Sequence, residues 1–244
     1  MLNSRSKALH RTLDLLRQPP RRPDIGQGFL DLLPDEPSEA SMRVQRLWTT
    51  STGVQMYTRI YDLPSALTPP WLRDIHGRLE LAPGDTVLDL GSGPGNISRM
   101  LSRQVGDEGL VVGVDISRPM LQRAVTSTDA DNVVFTRGDA TSVAFADGVF
   151  DAVCCVAMLQ LVPDPSPVYD EIARVLAPGG RATIITTGRA GTLLRPVTTL
   201  LEWASQARMF GPDEIPDALA QRGLTSIRSR TIGLFEVVHA RKPR

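Results

Sequence analysis

The sequence predicts an α/β fold: a doubly wound, mostly parallel sheet with helices on both faces, preceded by a helical N-terminal extension. Two observations carry this prediction. From Asp85 onward, short runs rich in β-branched residues alternate with helical stretches, the pattern of βαβ units joined by right-handed crossovers. A glycine-rich loop directly follows the first of these runs and opens a helix.

Strands are expected at Thr86–Leu90, Leu110–Asp115, Val133–Arg137, Phe150–Val156 and residues 181–187. Helical stretches at 97–105, 119–126 and 167–176 lie between them. Residues 226–230 and 234–240 read as two further strands around Gly233. Upstream, Leu9, Leu13 and Leu16 recur at helical spacing, and the amphipathic helix they define is expected to end at Pro19-Pro20. Residues 23–41, rich in Pro, Asp, Glu and Ser, read as a linker, and residues 42–61 and 71–79 read as helices. The organisation is therefore a basic helix and linker (1–41), a helical cap (42–82) and the α/β domain (83–244), which carries an insert at about 190–210.

At 244 residues and 41% hydrophobic, the chain is long and apolar enough for one α/β domain with a large core. Lys+Arg and Asp+Glu both number 27. A neutral chain is not built to neutralise phosphates, so no nucleic-acid partner is expected. The charge is unevenly placed. Residues 1–22 hold six basic side chains against one acid, a local +5 that leaves −5 for the remainder. Three readings of that segment stand open: a helix leaning on the main domain, a peripheral membrane-surface or partner contact, or an organelle leader. Cys154 and Cys155 are neighbours and should point to opposite faces of a strand, which argues against a disulfide between them and favours a reducing, cytoplasmic setting. Neither they nor the three histidines show metal-ligand spacing, so no metal is expected. No apolar run approaches the roughly 20 residues that span a bilayer.

The most informative stretch is Val87-Leu88-Asp89-Leu90-Gly91-Ser92-Gly93-Pro94-Gly95-Asn96. Glycines at alternate positions let the backbone turn sharply and let a ligand approach closely. In a parallel sheet this loop lies at the carboxyl end of the strands, where ligands bind. A dinucleotide site wants G-x-G-x-x-G, so that a pyrophosphate rests on the helix N-terminus. Here the third glycine is Gly95 and Asn96 follows it. Asp89, two residues before the first glycine, would repel a pyrophosphate but suit a cationic ligand. A nicotinamide-dependent oxidoreductase is disfavoured on both counts.

Two further acids close the next two strands. Asp115 stands 20 residues after Gly95, where a carboxylate can accept hydrogen bonds from a ribose diol; read alone, it also suits a helix cap before Ser117-Arg118-Pro119. Ile116 and Met120 could face an adenine ring, and Met120 equally suits core packing. Asp139, in Gly138-Asp139-Ala140, could accept from an adenine amine, though by itself it reads as a turn residue. Acids at 89, 115 and 139 would all face one crevice.

With these motifs assembled, the sequence resembles the class I S-adenosylmethionine-dependent methyltransferases, especially the branch acting on small molecules, quinones and lipids. The resemblance rests on residues 87–95, Gly113-Val114-Asp115-Ile116-Ser117, residues 138–140, Phe150-Asp151-Ala152-Val153 leading into 158–161, and residues 171–181. It covers about residues 80–187, with a looser continuation through Phe210-Gly211 and residues 239–243. The resemblance implies a Rossmann-like, seven-stranded sheet whose last strand is antiparallel. It implies that the loop from Asp89 through Gly91, Ser92, Gly93, Gly95 and Asn96 holds the methionine part of S-adenosylmethionine, and that Asp115 binds the ribose. By position, Gly138, Asp139 and Ala140 would flank the adenine, and Val156, Ala157 and Met158 would line the cofactor on the substrate side. Pro178-Gly179-Gly180 would be a structural turn. S-adenosylhomocysteine would be the product.

One departure matters. Many relatives carry histidine where this chain has Leu159-Gln160. Gln160 cannot act as a base, though its amide can orient a substrate; no general base is visible. The substrate lid is expected from Trp48, Tyr57 and Tyr61 upstream and from the apolar insert 193–209 with Trp203; for each of these aromatics, packing against the core is the competing reading. A small, hydrophobic or aromatic acceptor follows, methylated on oxygen or carbon. The competing function is a non-catalytic module that binds the same cofactor as a scaffold or sensor.

Overall fold

The computed structural model describes residues 4–33, 79–188 and 208–244. In chain order the elements are α1 (Ser4–Asp14), β1 (Leu30–Asp31), β2 (Thr86–Leu90), α2 (Asn96–Val105), β3 (Leu110–Asp115), α3 (Arg118–Ser127), β4 (Val133–Arg137) and β5 (Phe150–Val156). A short 3-10 turn (Leu159–Leu161) follows, then α4 (Ser166–Val175), β6 (Leu176–Thr187), α5 (Glu214–Ala220), β7 (Thr225–Ile232) and β8 (Phe235–Arg241).

The strands form one sheet in the order β1-β4-β3-β2-β5-β6-β8-β7. Strands β1 to β6 are parallel, and β8 runs antiparallel to both β6 and β7. The central strands are apolar because both faces are covered: β2, β3 and β4 are buried almost throughout. Ile97, Leu101 and Val105 of α2 and Leu121 of α3 fill one face. The other face takes Ala8 of α1, Val168 and Ile172 of α4, and Ile215 and Leu219 of α5. From β2 the chain winds one way through β3 and β4, then returns to place β5 on the other side. The crevice between the β2 and β5 loops is thus the topological switch point, where ligands bind in such sheets.

Four central strands match the sequence expectation residue for residue. The sheet has eight strands because Leu30–Asp31, inside the segment read as a linker, pairs in parallel with Thr136 and Arg137 of β4. Helix α1 stops at Asp14, before the prolines, because Leu16 forms an antiparallel bridge with Phe145. Strand β6 begins at Leu176, not at 181. Leu176 pairs with Phe150 and Arg181 with Ala152, so the expected turn at Pro178-Gly179-Gly180 is an irregularity within the strand. The helical segments expected at 42–61 and 71–78 lie outside the described residues. Among the described residues no helix is long and apolar enough to cross a membrane.

Four basic side chains of α1 and the residues just after it, Arg5, Lys7, Arg11 and Arg17, are engaged with the domain. Arg5 donates to the Thr128 carbonyl, Arg11 to those of Glu108 and Gly109, and Arg17 to those of Val143 and Phe145. Lys7 pairs with Glu108 at the surface.

At the opposite end of the chain, Lys242 Nζ donates to the carbonyls of Ala173 and Leu176 at 2.8 and 2.7 Å, and to that of Arg174 at 3.4 Å. These carbonyls close α4, where the helix dipole also favours a cation. Replacing Lys242 by Met should lower the unfolding free energy by about 1–3 kcal/mol, read from the urea midpoint at constant m-value.

Candidate cofactor site

The glycine loop folds back onto the next strand. Gly91 N and Ser92 N both donate to the Val114 carbonyl, at 2.8 and 3.0 Å. Gly91 has φ 74°, and a Cβ there would lie 2.5 Å from Cβ of Met158. Glycine is therefore required both by backbone conformation and by the close approach of the β5 loop. Gly95, at φ 82°, is the N-cap of α2 and supplies no side-chain cap. An anionic ligand group can complete such a helix start. Ser92 Oγ and Asn96 Nδ2 are buried close by in the chain without a partner, so the loop holds polar atoms that the protein itself does not satisfy.

Asp115 joins three of the expected segments. Its Oδ2 accepts from Gly93 N and its Oδ1 from Ser117 N, each at 2.8 Å, while its carbonyl accepts from Gly138 N at 3.1 Å. A carboxylate has about four acceptor positions, and the Ile116 N–H also favours the charged form, so some acceptor capacity remains for a ligand diol. The capping role falls to Ser117, whose hydroxyl accepts from Met120 N. Met120 itself is buried on the first turn of α3, next to the half-exposed Ile116 loop.

The three acids are not equally open. Asp139 Oδ1 accepts from the amide and hydroxyl of Thr141, at 2.9 and 2.7 Å, which is the turn geometry. Asp89 is 1% exposed. It lies beneath the first turn of α2 and accepts a 2.6 Å bond from Ser98 Oγ. Burial pushes its carboxyl up to about 7; the Ser98 bond opposes this and the nearby Asp115 charge adds to it. Burial raises Asp115 as well, against the N–H bonds that favour its charged form. A cationic group beside Asp89 would restore its charge.

At the end of β5, expected to face the substrate, Val156 is buried and Ala157 takes a left-handed conformation at φ 54°, with its amide held by the Ile185 carbonyl. A non-glycine residue in that region costs roughly 1 kcal/mol or more and marks a backbone fixed by its surroundings. Gln160 Oε1 accepts from Thr186 Oγ1 at 2.8 Å, which leaves its NH₂ group as the donor. Cys154 and Cys155 are free and buried on opposite faces of β5. Burial raises both thiols, so neither is a ready nucleophile. Trp48, Tyr57, Tyr61, Trp203 and nearly all of the insert lie outside the described residues.

Sequence reasoning missed Ser98 as the partner of Asp89, though a hydroxyl on the first turn after Gly95 was a usable signal. The strain at Ala157 carried no signal, since alanine does not mark left-handed backbone.

Residues 88–184 match the family described as "Methyltransferase domain". Residues 88–184 thus carry a methyltransferase domain, and the relatives support the class I S-adenosylmethionine-dependent kind. Over 107 residues it is 40% identical to an arsenite methyltransferase of Halobacterium salinarum, covering 43% of this chain and 27% of that one. Over 144 residues it is 33% identical to a demethylmenaquinone methyltransferase of Lactobacillus johnsonii, covering 57% of each. The chain thus spans between about a quarter and three fifths of these relatives. Among solved structures, a Haemonchus contortus phosphoethanolamine N-methyltransferase complexed with S-adenosylhomocysteine superposes with TM-score 0.72 at 20% identity, over 87% of this chain and 62% of that one. At that identity the likeness is one of fold.

The methyltransferase domain's residues fit the cofactor expected of the family. The uncapped helix start and the orphaned Ser92 and Asn96 atoms suit the amino-acid end. Asp115 has acceptor capacity for the ribose.

A pH experiment tests the state of Asp89. Its pKa in the folded protein is raised, so the folded state keeps a proton that the unfolded chain has lost between pH 4 and 7. Stability from this group is full below pH 4 and is lost as pH rises through about 7, at up to about 1.4 kcal/mol per pH unit. Asp89→Asn should therefore gain stability over the wild type between pH 5 and pH 8. Urea unfolding at both pH values measures it, and parallel wild-type and variant profiles would refute the assignment.

Proposed function

We propose that this protein transfers the methyl group of S-adenosylmethionine to the oxygen or carbon of a small, hydrophobic or aromatic acceptor. The observation that carries the cofactor half is the bracket made by Asp115 and Gly93, which holds a carboxylate with remaining acceptor capacity at the end of β3. The relatives' names, an arsenite and a demethylmenaquinone methyltransferase, support a small-molecule acceptor. The apolar sequence of the insert 193–209, which lies between β6 and α5 along the chain, supports a hydrophobic one.

When bound, the cofactor supplies an electrophilic sulfonium methyl. The chain's part is to position and to exclude water. Gly91, Gly93 and Gly95 let the backbone come within contact of the ligand, and Asp89 lies close enough in the fold to favour a cation. Asp115 orients the ribose, and Ala140 and Ile116 offer apolar contact to the adenine. Val156 to Met158 form the wall between cofactor and acceptor, and Gln160 offers its NH₂ to an acceptor oxygen. Transfer needs the nucleophile held at about 3 Å from the methyl, opposite the sulfur. An acceptor that is already acidic needs no protein base, which suits a site where Gln160 stands in place of histidine. The basic N-terminal helix reads as part of the domain's packing, since Arg5, Arg11 and Arg17 already donate to its carbonyls.

Gln160 is also the observation that favours the other reading, a cofactor-binding module without catalysis. Single-turnover incubation with labelled cofactor and a panel of phenols, hydroxylated quinones and oxyanions separates the two, because transfer to none of them supports the module. In calorimetry, wild-type protein should bind S-adenosylhomocysteine, and Asp115→Ala should weaken that binding by about 1–3 kcal/mol. Unchanged affinity would sink the ribose assignment.

A further inference from the structure

We infer that Asp31, on the edge strand β1, is a positioning residue for the adenosyl end of the cofactor site. The inference rests on the cofactor reading above and extends it to a part of the chain outside residues 88–184.

One carboxylate gathers three segments. Arg137 Nη1 donates to both Asp31 oxygens at 3.3 Å, and Arg118 Nη2 lies 3.0 Å from Oδ2. Leu33 N donates to Oδ1 at 3.2 Å. Arg137 is 3% exposed, and its Nε donates to the Ile116 carbonyl at 3.3 Å. The backbone repeats the link, because Leu32 N donates to the Arg137 carbonyl at 3.1 Å. Arg118 opens α3 directly after the Asp115–Ser117 loop, and Arg137 directly precedes Gly138-Asp139-Ala140. Both loops expected to hold adenosine are therefore tied to the same Asp31 carboxylate.

The residues after Asp31 continue the arrangement. Leu32 and Leu33 line a cleft together with Gly138 and Asp139. The edge strand thus borders the adenine-side loop directly and does not merely extend the sheet. A buried guanidinium without its carboxylate is strongly unfavourable, so loss of Asp31 would release Arg137 from its place and free the Ile116 carbonyl. The two loops would then no longer be held at a fixed separation, and small misplacements of this kind are costly in a preorganised site.

The experiment compares two ligands. S-adenosylhomocysteine has the amino-acid chain; 5′-methylthioadenosine carries the same adenosyl thioether without it. Dissociation constants for both are measured by calorimetry on wild type, Asp31→Asn, Asp31→Ala and Asp89→Asn, with thermal unfolding of each. The Asp31 variants should weaken both ligands by the same factor, about tenfold, whereas Asp89→Asn should weaken only S-adenosylhomocysteine. A purely architectural Asp31 would lower the melting temperature and leave both constants of the folded protein unchanged, which overturns the inference. A loss confined to S-adenosylhomocysteine overturns it too. Should neither Asp31 variant fold, Arg118→Gln leaves the buried Asp31–Arg137 pair intact and should weaken both ligands about threefold; unaltered constants there count against the idea. Wild-type protein that binds neither ligand overturns the cofactor reading itself, an outcome distinct from failure of the Asp31 role.

Discussion

The Asp115 carboxylate takes the Gly93 N–H on one oxygen and the Ser117 N–H on the other, and the geometry of the rim at the carboxyl ends of the strands depends on this bracket. It fixes the glycine loop against the end of β3 and sets where α3 begins. Hydrogen bonds to a charged group contribute about 1.5–3 kcal/mol each, enough to hold a loop whose glycines have little conformational preference of their own. The bracket also shows how a raised, partly desolvated acid still serves as an acceptor. The backbone N–H groups favour its charged form, and they do not exhaust its acceptor capacity.

Asp89 illustrates the opposite arrangement. It has one hydroxyl partner and is almost fully buried, so the fold holds a carboxyl that is only partly ionised at neutral pH. A hydrophobic residue of similar volume would pack there more favourably. Local cost of this sort concentrates at functional sites, where a ligand completes what the fold leaves unfinished. The unpartnered atoms of Ser92 and Asn96 belong to the same incomplete region. Asp115 and Asp89 together give the rim two acids of different availability: one at the end of β3 held by backbone N–H groups, one buried beneath α2.

How much of this is legible in the sequence follows from how local each signal is. Strands β2 to β5 are readable because both faces are buried, which demands runs dominated by apolar residues and bounded by turn residues. The glycine loop is readable because three glycines at alternate positions, directly after an apolar strand, mark a sharp turn with an open backbone. Strand β1 is not: two residues, Leu30 and Asp31, show no periodicity, and their partners lie 106 positions away in β4. The end of α1 is hidden for a related reason. Leu16 fits the helical stripe in sequence, but its backbone bridges to Phe145. Likewise Gly179 and Gly180 read as a turn, whereas tertiary pairing of Leu176 with Phe150 draws them into β6. Asp115 stands out by spacing alone, yet its bond to Gly93 leaves no trace in the sequence. Local pattern specifies elements here, and long-range polar pairing decides their edges.

The same distinction governs charge. A local +5 over 22 residues reads as an interaction surface when viewed along the chain. In the fold, Arg5, Arg11 and Arg17 each reach main-chain carbonyls of the domain, acceptors that contribute nothing to a count of acids and bases. Arg137 and Arg118 do the same work at the sheet edge with Asp31. Guanidinium groups suit this task because they stay charged and present several donors in a planar fork. Arginine here joins distant backbone segments around the sheet, so most of the positive charge of the first 22 residues serves packing against the domain.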